Sequence, residues 1–562
     1  MPSPNPPPNT VSPGKQAEPG SGRGALFVAA GILASRLMGL VRERVFAHYL
    51  GNAEAAAVFK AAQRIPNFLQ NLFGEGVLSG SFIPVYAQLL GQKNQEEADR
   101  LAGAIFGLLS LATSLLVAAG MLATPLFVDA IAPGFEGESR ALAIQLVRIV
   151  FPGTGLLVLS AWCLGILNSH RRFLLSYLAP VVWNLVLIGT LVAVGGRVGE
   201  TRLVEVLSYA MVAGGFLQFG VQVPSVLRLL GKFRRSFSLA SASVRQVLRS
   251  FVPVVIGRGV VQISAYVDTA VASLLPARAL SSLFYAQTIY LIPVSLFGMA
   301  VSAAELPEMS RATGGSAEEA YTKLRERIEA GARRVAFFVV PSAVAFLLIG
   351  DVVASTLLQT GKFTAADSRY VWYLLMGSAV GLVSATVGRL YSSAFYALKD
   401  PVTPLRFAIV RVSLGAVMAW GFGLYLPELL GLPRHLGAAF ITAASGSVAW
   451  LEAWLLRRSL ARRVGGHVGS PRGLLPKLWA CAAASGAVAL CVKVALTSAL
   501  GPMKGVAEEW GGGLLAPPAL PSVITCLAVV LPYGVAYFAL TAALGMPQAQ
   551  AVFRRARRLL GR

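Results

Sequence analysis

Four charged residues stand close together in the segment ASRLMGLVRERVFAHYL, residues 34–50, at the end of a run that is otherwise apolar enough to cross a bilayer. They are Arg36, Arg42, Glu43 and Arg44. A charge at the bilayer centre costs about 2.5–3.5 kcal/mol on insertion scales, so such side chains usually face a bundle interior or a water-filled cavity. Arg36 falls about 18 Å into its predicted helix, near the bilayer midplane. We therefore expect this segment to line a functional site.

Other charges fall inside or near the ends of the predicted spans, namely Arg64, Arg258, Arg389 and Arg411, with the acids Glu75, Asp268, Glu305 and Asp400. Together with the first segment this makes seven arginines against five acids, so the interior is predicted to be rich in cations. Arginine offers a planar fork of donors to two oxygens and stays charged at any accessible pH, which suits phosphate. The pattern predicts an anionic, phosphate-bearing substrate with an apolar part, and disfavours a cavity for cationic drugs. The candidate substrate-binding residues are Arg36, Arg42, Glu43, Arg64, Glu75, Arg258 and Arg389.

Composition assigns the chain to a broad class. It has 562 residues, of which 55% are hydrophobic and 13% are charged, whereas a soluble protein carries about 25% charged residues. Apolar runs recur from residue 25 to residue 545 without a polar block of domain size. The four cysteines and four histidines are scattered, and no phosphate-binding loop motif occurs, so we expect a membrane transporter rather than an enzyme. An ion gradient or a partner must then drive it.

The net charge of +23 is placed unevenly along the chain. Basic clusters at 228–249, 457–477 and 554–562 alternate with loops such as APGFEGES that are poor in lysine and arginine. This is the positive-inside pattern, and it predicts both termini in the cytoplasm. A DNA-binding tail at FRRARRLL is the alternative interpretation, but a basic helix lying on anionic lipid explains the segment more simply.

About 20 apolar residues per crossing predict an all-α polytopic membrane protein with about fourteen transmembrane helices. Matches at one offset of 224 residues pair Gln63 with Gln287, Gly153 with Gly377, and Pro180 with Pro404, together with LFG at 72–74 and 296–298 and SA at 160–161 and 384–385. Shared composition of apolar helices is the alternative explanation. Since each repeat has an even number of spans, the offset predicts two pseudo-symmetric six-helix lobes facing a central cavity. The segments IPNFLQNLFGEG and LIPVSLFG should break their helices at corresponding positions.

These patterns divide the chain into seven predicted regions. They are a disordered cytoplasmic tail (1–24), an N-lobe (25–228), a basic cytoplasmic linker (229–245), a C-lobe (246–456), a second basic linker (457–475), two C-terminal helices (476–545) and a basic cytoplasmic C-terminus (546–562).

Three segments carry a resemblance to a known family: SRLMGLVRE, RIPNFLQNLFGEGVLSGSFIPVY and FYALKDPVTP. With the span count, they make the chain similar to the MurJ (MviN) lipid II flippases of the MOP exporter superfamily, over about residues 25–545. The resemblance implies two lobes around a cavity that opens inward and outward, and a groove at 476–545 for an undecaprenyl tail. The implied substrate is the undecaprenyl-diphosphate-linked peptidoglycan precursor, moved to the periplasmic leaflet of the bacterial cytoplasmic (inner) membrane. It also implies membrane lipids and cell-wall synthesis proteins as partners, and no nucleic acid.

Residue by residue, Arg36 and Arg42 match the family's first-helix arginines, and Glu43 stands where an aspartate is usual. The chain departs from the pattern at three positions, where the family's acid and two arginines are replaced by Ala57, Gln70 and Thr288. Arg64 and Arg258 are candidates to restore the positive charge.

Asp268 and Asp400 resemble acidic positions of the family, either as a site for a monovalent cation, Na⁺ or H⁺, or as partners of nearby arginines. No other cofactor is expected. Two further hypotheses remain open for function: a flippase for another polyprenyl-linked oligosaccharide, and a non-transporting membrane scaffold descended from a flippase.

Overall fold

The structure, a computed structural model, describes residues 21–231, 233, 241–312, 317–471, 473–502, 518–550, 552 and 554. Within this part the chain is built from α-helices and carries no β-strand, as predicted. The first eight helices are α1 (Ser21–Leu50), α2 (Glu54–Phe73), α3 (Glu75–Gly91), α4 (Gln95–Leu122), α5 (Thr124–Ile131), α6 (Gly137–Ser169), α7 (Phe173–Val194) and α8 (Glu200–Leu229).

The next helices are α9 (Ala242–Ser273), α10 (Ala277–Pro293), a π-helix (Val294–Met299), α11 (Ala300–Ala312), α12 (Ala317–Leu348), α13 (Gly350–Leu358), α14 (Ala365–Ala397), α15 (Val402–Leu424) and the short α16 (Leu426–Leu429). A 3₁₀ turn (Arg434–Leu436) then leads into α17 (Gly437–Val464), which is followed by α18 (Leu474–Leu500) and α19 (Ser522–Ala543).

Eleven helices of the described part are long and apolar enough to cross a membrane. The three other predicted spans coincide with α1, with the α2–α3 pair and with α9, whose backbones are helical. The chain is therefore a multi-pass helical membrane protein, and the count of fourteen crossings stays a prediction.

The order of the helices repeats along the chain. Adding 224 to the bounds of α6 gives 361–393, which nearly coincides with α14, and adding it to the bounds of α4 gives 319–346, within α12. The packing pairs repeat as well, because α6 packs on α8 as α14 packs on α17, and α1 packs on α7 as α9 packs on α15. The offset found in the sequence is thus an offset between helices of matching position and matching neighbours.

Both predicted helix interruptions are present at corresponding positions. In the first half α2 and α3 are separated at Gly74, where an added Cβ would lie 2.2 Å from the carbonyl oxygen of Gln70. In the second half the matching residue, Gly298, lies in the π-helix, a form that occurs mostly as local bulges inside α-helices at functional sites. The two glycines therefore mark irregular backbone in both halves.

The matched glycines Gly153 and Gly377 have a packing reason. A Cβ on Gly153 would lie 2.9 Å from the Cα of Val212 on α8, and a Cβ on Gly377 would lie 2.3 Å from the carbonyl oxygen of Ala439 on α17. Real side chains do not tolerate such distances to backbone atoms. In each half, glycine therefore lets two long helices approach closely.

The C-terminal helices α18 and α19 pack on each other, and α18 packs on α12. Pro341 lies inside α12 and has no N–H, so it leaves the carbonyl of Phe337, four residues earlier, without its helical donor. The Tyr537 hydroxyl on α19 donates to that carbonyl at 2.6 Å, and the Tyr533 hydroxyl donates to the carbonyl of Pro341 at 2.6 Å. The C-terminal pair thus supplies hydrogen bonds to a proline-interrupted helix, as backbone groups in a membrane require.

Candidate functional site

Three charged side chains of α1 and α2 meet in a buried cluster. Nη2 of Arg42 donates to Oε1 of Glu43 at 2.7 Å, and Nζ of Lys60 donates to Oε2 of the same carboxylate. Their exposed side-chain fractions are 22% for Arg42, 12% for Glu43 and 7% for Lys60. We call these three residues the charged triad. Two cations share one carboxylate, so the triad has a net charge of +1 when all three groups are ionised.

Neighbouring helices hold the two cations of the charged triad. On one side α1 packs on α7, where Nη1 of Arg42 donates to Oδ1 of Asn184 at 3.2 Å and its guanidinium lies 5.0 Å from the ring of Trp183. On the other side the ammonium of Lys60 lies 4.2 Å from the ring centre of Tyr285 on α10. Ring faces attract cations electrostatically, most strongly where water is excluded.

A cavity lies beside the charged triad and contains about 290 Å³ of space not filled by atoms. Its walls combine the triad with an amide and a set of apolar side chains, namely Phe46, Phe59, Gln63, Leu187, Leu191 and Leu207. A net cationic charge in an apolar wall favours an anion, because the low polarity of the surroundings strengthens the attraction.

Arg36 is exposed and makes no hydrogen bond or ion pair within the part of the chain that the structure describes. It precedes Glu43 by seven residues and Ala47 by eleven, and both spacings return to nearly the same face of a helix. Glu43 and Ala47 are buried on that face, whereas it is uncovered at Arg36. The face that carries the charged triad therefore becomes open toward the start of α1.

Arg44 and Arg64 bridge different parts of the chain. Arg44 donates to the carbonyl of Thr356 on α13. Arg64 donates to Thr269 on α9 at 3.0 Å and to Gln287 on α10 at 3.2 Å. Arg64 thus connects the first half to the second and is not a member of the charged triad.

The remaining predicted substrate-binding residues are separate from the charged triad or lie outside the described side chains. Glu75 begins α3 and Arg258 lies within α9, but their side chains are outside the part that the structure describes. Arg389 is exposed on α14, within electrostatic range of Arg411 and Glu452.

The predicted cation ligands Asp268 and Asp400 do not come together. Asp268 accepts a hydrogen bond from Oγ of Ser445 at 2.9 Å, whereas Asp400 accepts from Arg463. Ser445 and Arg463 are 18 residues apart on α17, which places them about 27 Å apart along the helix. A single site formed by both acids is therefore wrong.

Each acid has its own surroundings. Asp268 lines a hollow of about 230 Å³ together with Arg411. Asp400 precedes α15 and accepts hydrogen bonds from the backbone N–H of Thr403 at 3.1 Å and from its hydroxyl at 2.8 Å. No group of three His, Cys, Asp or Glu side chains arranged to hold a metal ion occurs among the residues described.

Polar contacts join the two halves at the end of α1. Nδ2 of Asn52 donates to Oγ of Ser282 at 2.7 Å and to Oδ1 of Asp367 at 3.3 Å, and the Tyr285 hydroxyl donates to the carbonyl of Gly51 at 2.8 Å. We call this set the polar seam. It closes the space beyond the charged triad on that side.

Sequence reasoning missed Lys60 and the contribution of Asn184. The only local signal for Lys60 was a lone lysine in the apolar run AAAVFKAA, one turn beyond Ala57. Asn184 gave no signal, because a single amide in a helix carries no indication of what it faces.

Two solved structures share the fold. The structure of lipid II flippase MurJ in an inward closed conformation has a TM-score of 0.71 and 22% sequence identity, covering 92% of this chain and 99% of that one. An inward-facing multidrug resistance MATE family transporter of the MOP superfamily has a TM-score of 0.61 and 18% identity, covering 78% of this chain and 98% of that one. The fold is therefore that of the multi-pass transporters of the MOP superfamily.

Sequence comparison specifies the family. The family described as lipid II flippase MurJ matches residues 46–516. The probable lipid II flippase MurJ of Haemophilus influenzae is 30% identical over 444 residues, which is 76% of this chain and 84% of that protein. The lipid II flippase MurJ of Burkholderia cenocepacia is 30% identical over 450 residues, which is 78% of this chain and 84% of that protein. The chain belongs to the MurJ family of lipid II flippases, which are bacterial membrane transporters.

Proposed function

We propose that this chain moves lipid II, the undecaprenyl-diphosphate-linked peptidoglycan precursor, from the cytoplasmic to the periplasmic leaflet of the bacterial inner membrane. Its family and its relatives, which are named lipid II flippases, support the substrate class. The apolar helices provide the membrane environment that a lipid-linked substrate needs.

The observation that carries the proposal is the net positive charge of the charged triad beside a cavity. A diphosphate presents several anionic oxygens, and arginine binds such oxygens through two parallel N–H bonds. Arg42 is the proposed ligand of the diphosphate inside the cavity. Arg36, exposed on the same helix about 9 Å nearer its start, is the proposed ligand at the entrance.

Alternating access is part of the proposal. The repeat of 224 residues supports two six-helix lobes, α1–α8 and α9–α17, that rock against each other. The polar seam holds them together at the end of α1, which the positive-inside pattern assigns to the periplasm, so the proposed resting state faces inward. A cavity of about 290 Å³ is small beside the roughly 300–1,000 Å³ of sites for drug-sized ligands. A peptidoglycan headgroup therefore requires the lobes to separate.

The roles of the C-terminal helices and of the coupling ion complete the proposal. The pair α18–α19 forms the groove for the undecaprenyl tail. Asp268 is the proposed carboxylate for coupling to Na⁺ or H⁺, because it faces a hollow and accepts a single hydrogen bond from Ser445. Asp400 has no part in coupling, because Arg463 and Thr403 occupy its oxygens.

Growth rescue tests the proposal in a strain depleted of its own lipid II flippase. The wild-type chain should restore growth and exposure of lipid II at the periplasmic face. Arg42→Ala should lose both and Arg42→Lys should retain part, because removing a charge-assisted hydrogen bond weakens binding about tenfold to a hundredfold. Arg36→Ala should have a smaller effect. Arg100→Ala is the matched control, since Arg100 is exposed and pairs with Glu96 on the surface of α4.

Two outcomes would contradict the proposal. If Arg42→Ala supports growth as well as the wild type, the charged triad does not bind the diphosphate. If the well-expressed wild-type chain fails to restore growth, lipid II is not its substrate. In that case, a changed surface polysaccharide in cells lacking the chain would identify another polyprenyl-linked oligosaccharide as substrate.

A further inference from the structure

Lys60 is a buried cation that the resemblance to the family did not point to. Its side chain is 7% exposed, and its ammonium donates to Glu43 while lying 4.8 Å from the ring centre of Phe46 and 4.2 Å from that of Tyr285. A buried charge is costly unless it is paired. Lys60 is therefore fixed in place by one carboxylate and two aromatic rings, and its role depends on what it does to that carboxylate.

We propose that Lys60 is the counter-ion of Glu43 that keeps Arg42 available to an anionic substrate. This inference rests on the proposed function, because the substrate group in question is the diphosphate of the lipid. Lys60 acts as a positioning residue: it determines how Arg42 is presented and how much charge the charged triad carries.

The geometry of the carboxylate supports this role. Glu43 has two oxygens, and each takes one cation, with Arg42 on Oε1 and Lys60 on Oε2. An arginine facing a free carboxylate commonly binds both oxygens through two parallel N–H bonds. Lys60 occupies the second oxygen and so holds the contact of Arg42 to one nitrogen.

The donors of Arg42 that remain are the ones a phosphate needs. A guanidinium has five N–H groups. Nη2 binds Glu43 and Nη1 binds Asn184, and Arg42 lines the cavity. With Lys60 present, part of the fork is free and the triad carries +1. Without Lys60, Arg42 and Glu43 would cancel each other, and the fork would close on the carboxylate.

The test compares the affinity of purified, full-length variants for undecaprenyl diphosphate in detergent, together with growth rescue in the flippase-depleted strain. Lys60→Met sets the net charge of the triad to zero and should weaken binding by about tenfold or more. The double variant Lys60→Met/Glu43→Gln brings the charge back to +1 and should recover most of the affinity. Recovery separates a charge effect from a folding defect, because the double variant still lacks the lysine.

Lys493→Met is the matched control, since it removes another lysine that is buried in an ion pair, at a distance from the charged triad. It should leave the affinity of the folded protein unchanged. Each variant is checked for a single symmetric peak on size exclusion before affinity is measured.

Three results would overturn the inference. The first is wild-type affinity in Lys60→Met. The second is a double variant as weak as Lys60→Met, which would make Lys60 a direct ligand or a packing residue. The third is an equal loss in Lys493→Met. If Arg42→Ala also binds and rescues like the wild type, the proposed function fails as well. If Arg42→Ala fails while Lys60→Met behaves as the wild type, only the role of Lys60 is wrong.

Discussion

The ion pair between Lys493 on α18 and Asp351 on α13 should dominate the attachment of the C-terminal helices. Nζ of Lys493 lies 2.6 Å from Oδ2 of Asp351, and the two side chains are 1% and 3% exposed. Lys493→Met would leave the carboxylate buried without the cation that the described residues place against it. Removing one partner of a buried pair costs about 3–5 kcal/mol, most of it the penalty of the charge left behind.

The double variant Lys493→Met/Asp351→Asn should cost much less than the sum of the single variants. It leaves no buried charge, only an amide whose incomplete hydrogen bonding costs about 1–3 kcal/mol. Since the single variants should cost about 3–5 kcal/mol each, a strongly non-additive cycle is expected. The quantity to measure is the free energy of unfolding in mixed micelles, titrated with a denaturing detergent and followed by tryptophan fluorescence.

Lys477→Met provides the control, because Lys477 is exposed on the same helix and the substitution is identical. It should change the free energy of unfolding by less than about 0.5 kcal/mol. The reasoning is refuted if Lys493→Met is as mild as Lys477→Met, or if the two single costs simply add in the double variant.

Two further predictions concern helix packing and pH. Gly381→Val should abolish the folded, monodisperse protein on size exclusion, because a Cβ at Gly381 would lie 2.3 Å from the Cα of Gly446; Gly189→Ala, with open space at its Cβ, should behave as the wild type. Burial raises the pKa of Asp400, but hydrogen bonds from Thr403 and the charge of Arg463 outweigh it, so its pKa is lowered from 3.8. Because the folded-state pKa is lowered, the stability this group contributes is present above about pH 4 and is lost as the pH falls through the lowered pKa. Asp400→Asn should therefore reduce the melting temperature at pH 7 and lose that difference in strong acid; a constant difference at all pH values would contradict the assignment.

Much of the site could be predicted because the signal lies along the chain. Arginines in an apolar run are visible in the sequence, and the cost of burying charge indicates that they face something polar. Arg42 and Glu43 were found this way, and the structure places both in the charged triad. Lys60 was missed because one lysine in an apolar run is also what a helix end near the headgroups shows. What makes it part of the site is the position of α2 beside α1, which no local pattern encodes.

The cation ligands failed for the same reason in the opposite direction. Asp268 and Asp400 look alike in sequence, each an acid within or beside a predicted span. Packing assigns Asp268 to Ser445 and Asp400 to Arg463, at positions far apart on one helix. Which charges meet is decided by which helix faces are brought together.

By itself the sequence determined the class of this protein, the helical repeat of 224 residues, the interrupted helices and the excess of buried arginine. These depend on hydropathy, helix length and helix breakers, all of which act between residues close in the chain. The tertiary structure decided that Lys60 shares Glu43 with Arg42, that Tyr537 satisfies the carbonyl freed by Pro341, and that the halves close at the end of α1. Such pairings depend on distances between helices remote in sequence, because charge and hydrogen bonding act over a few ångströms of space wherever the chain brings two groups together.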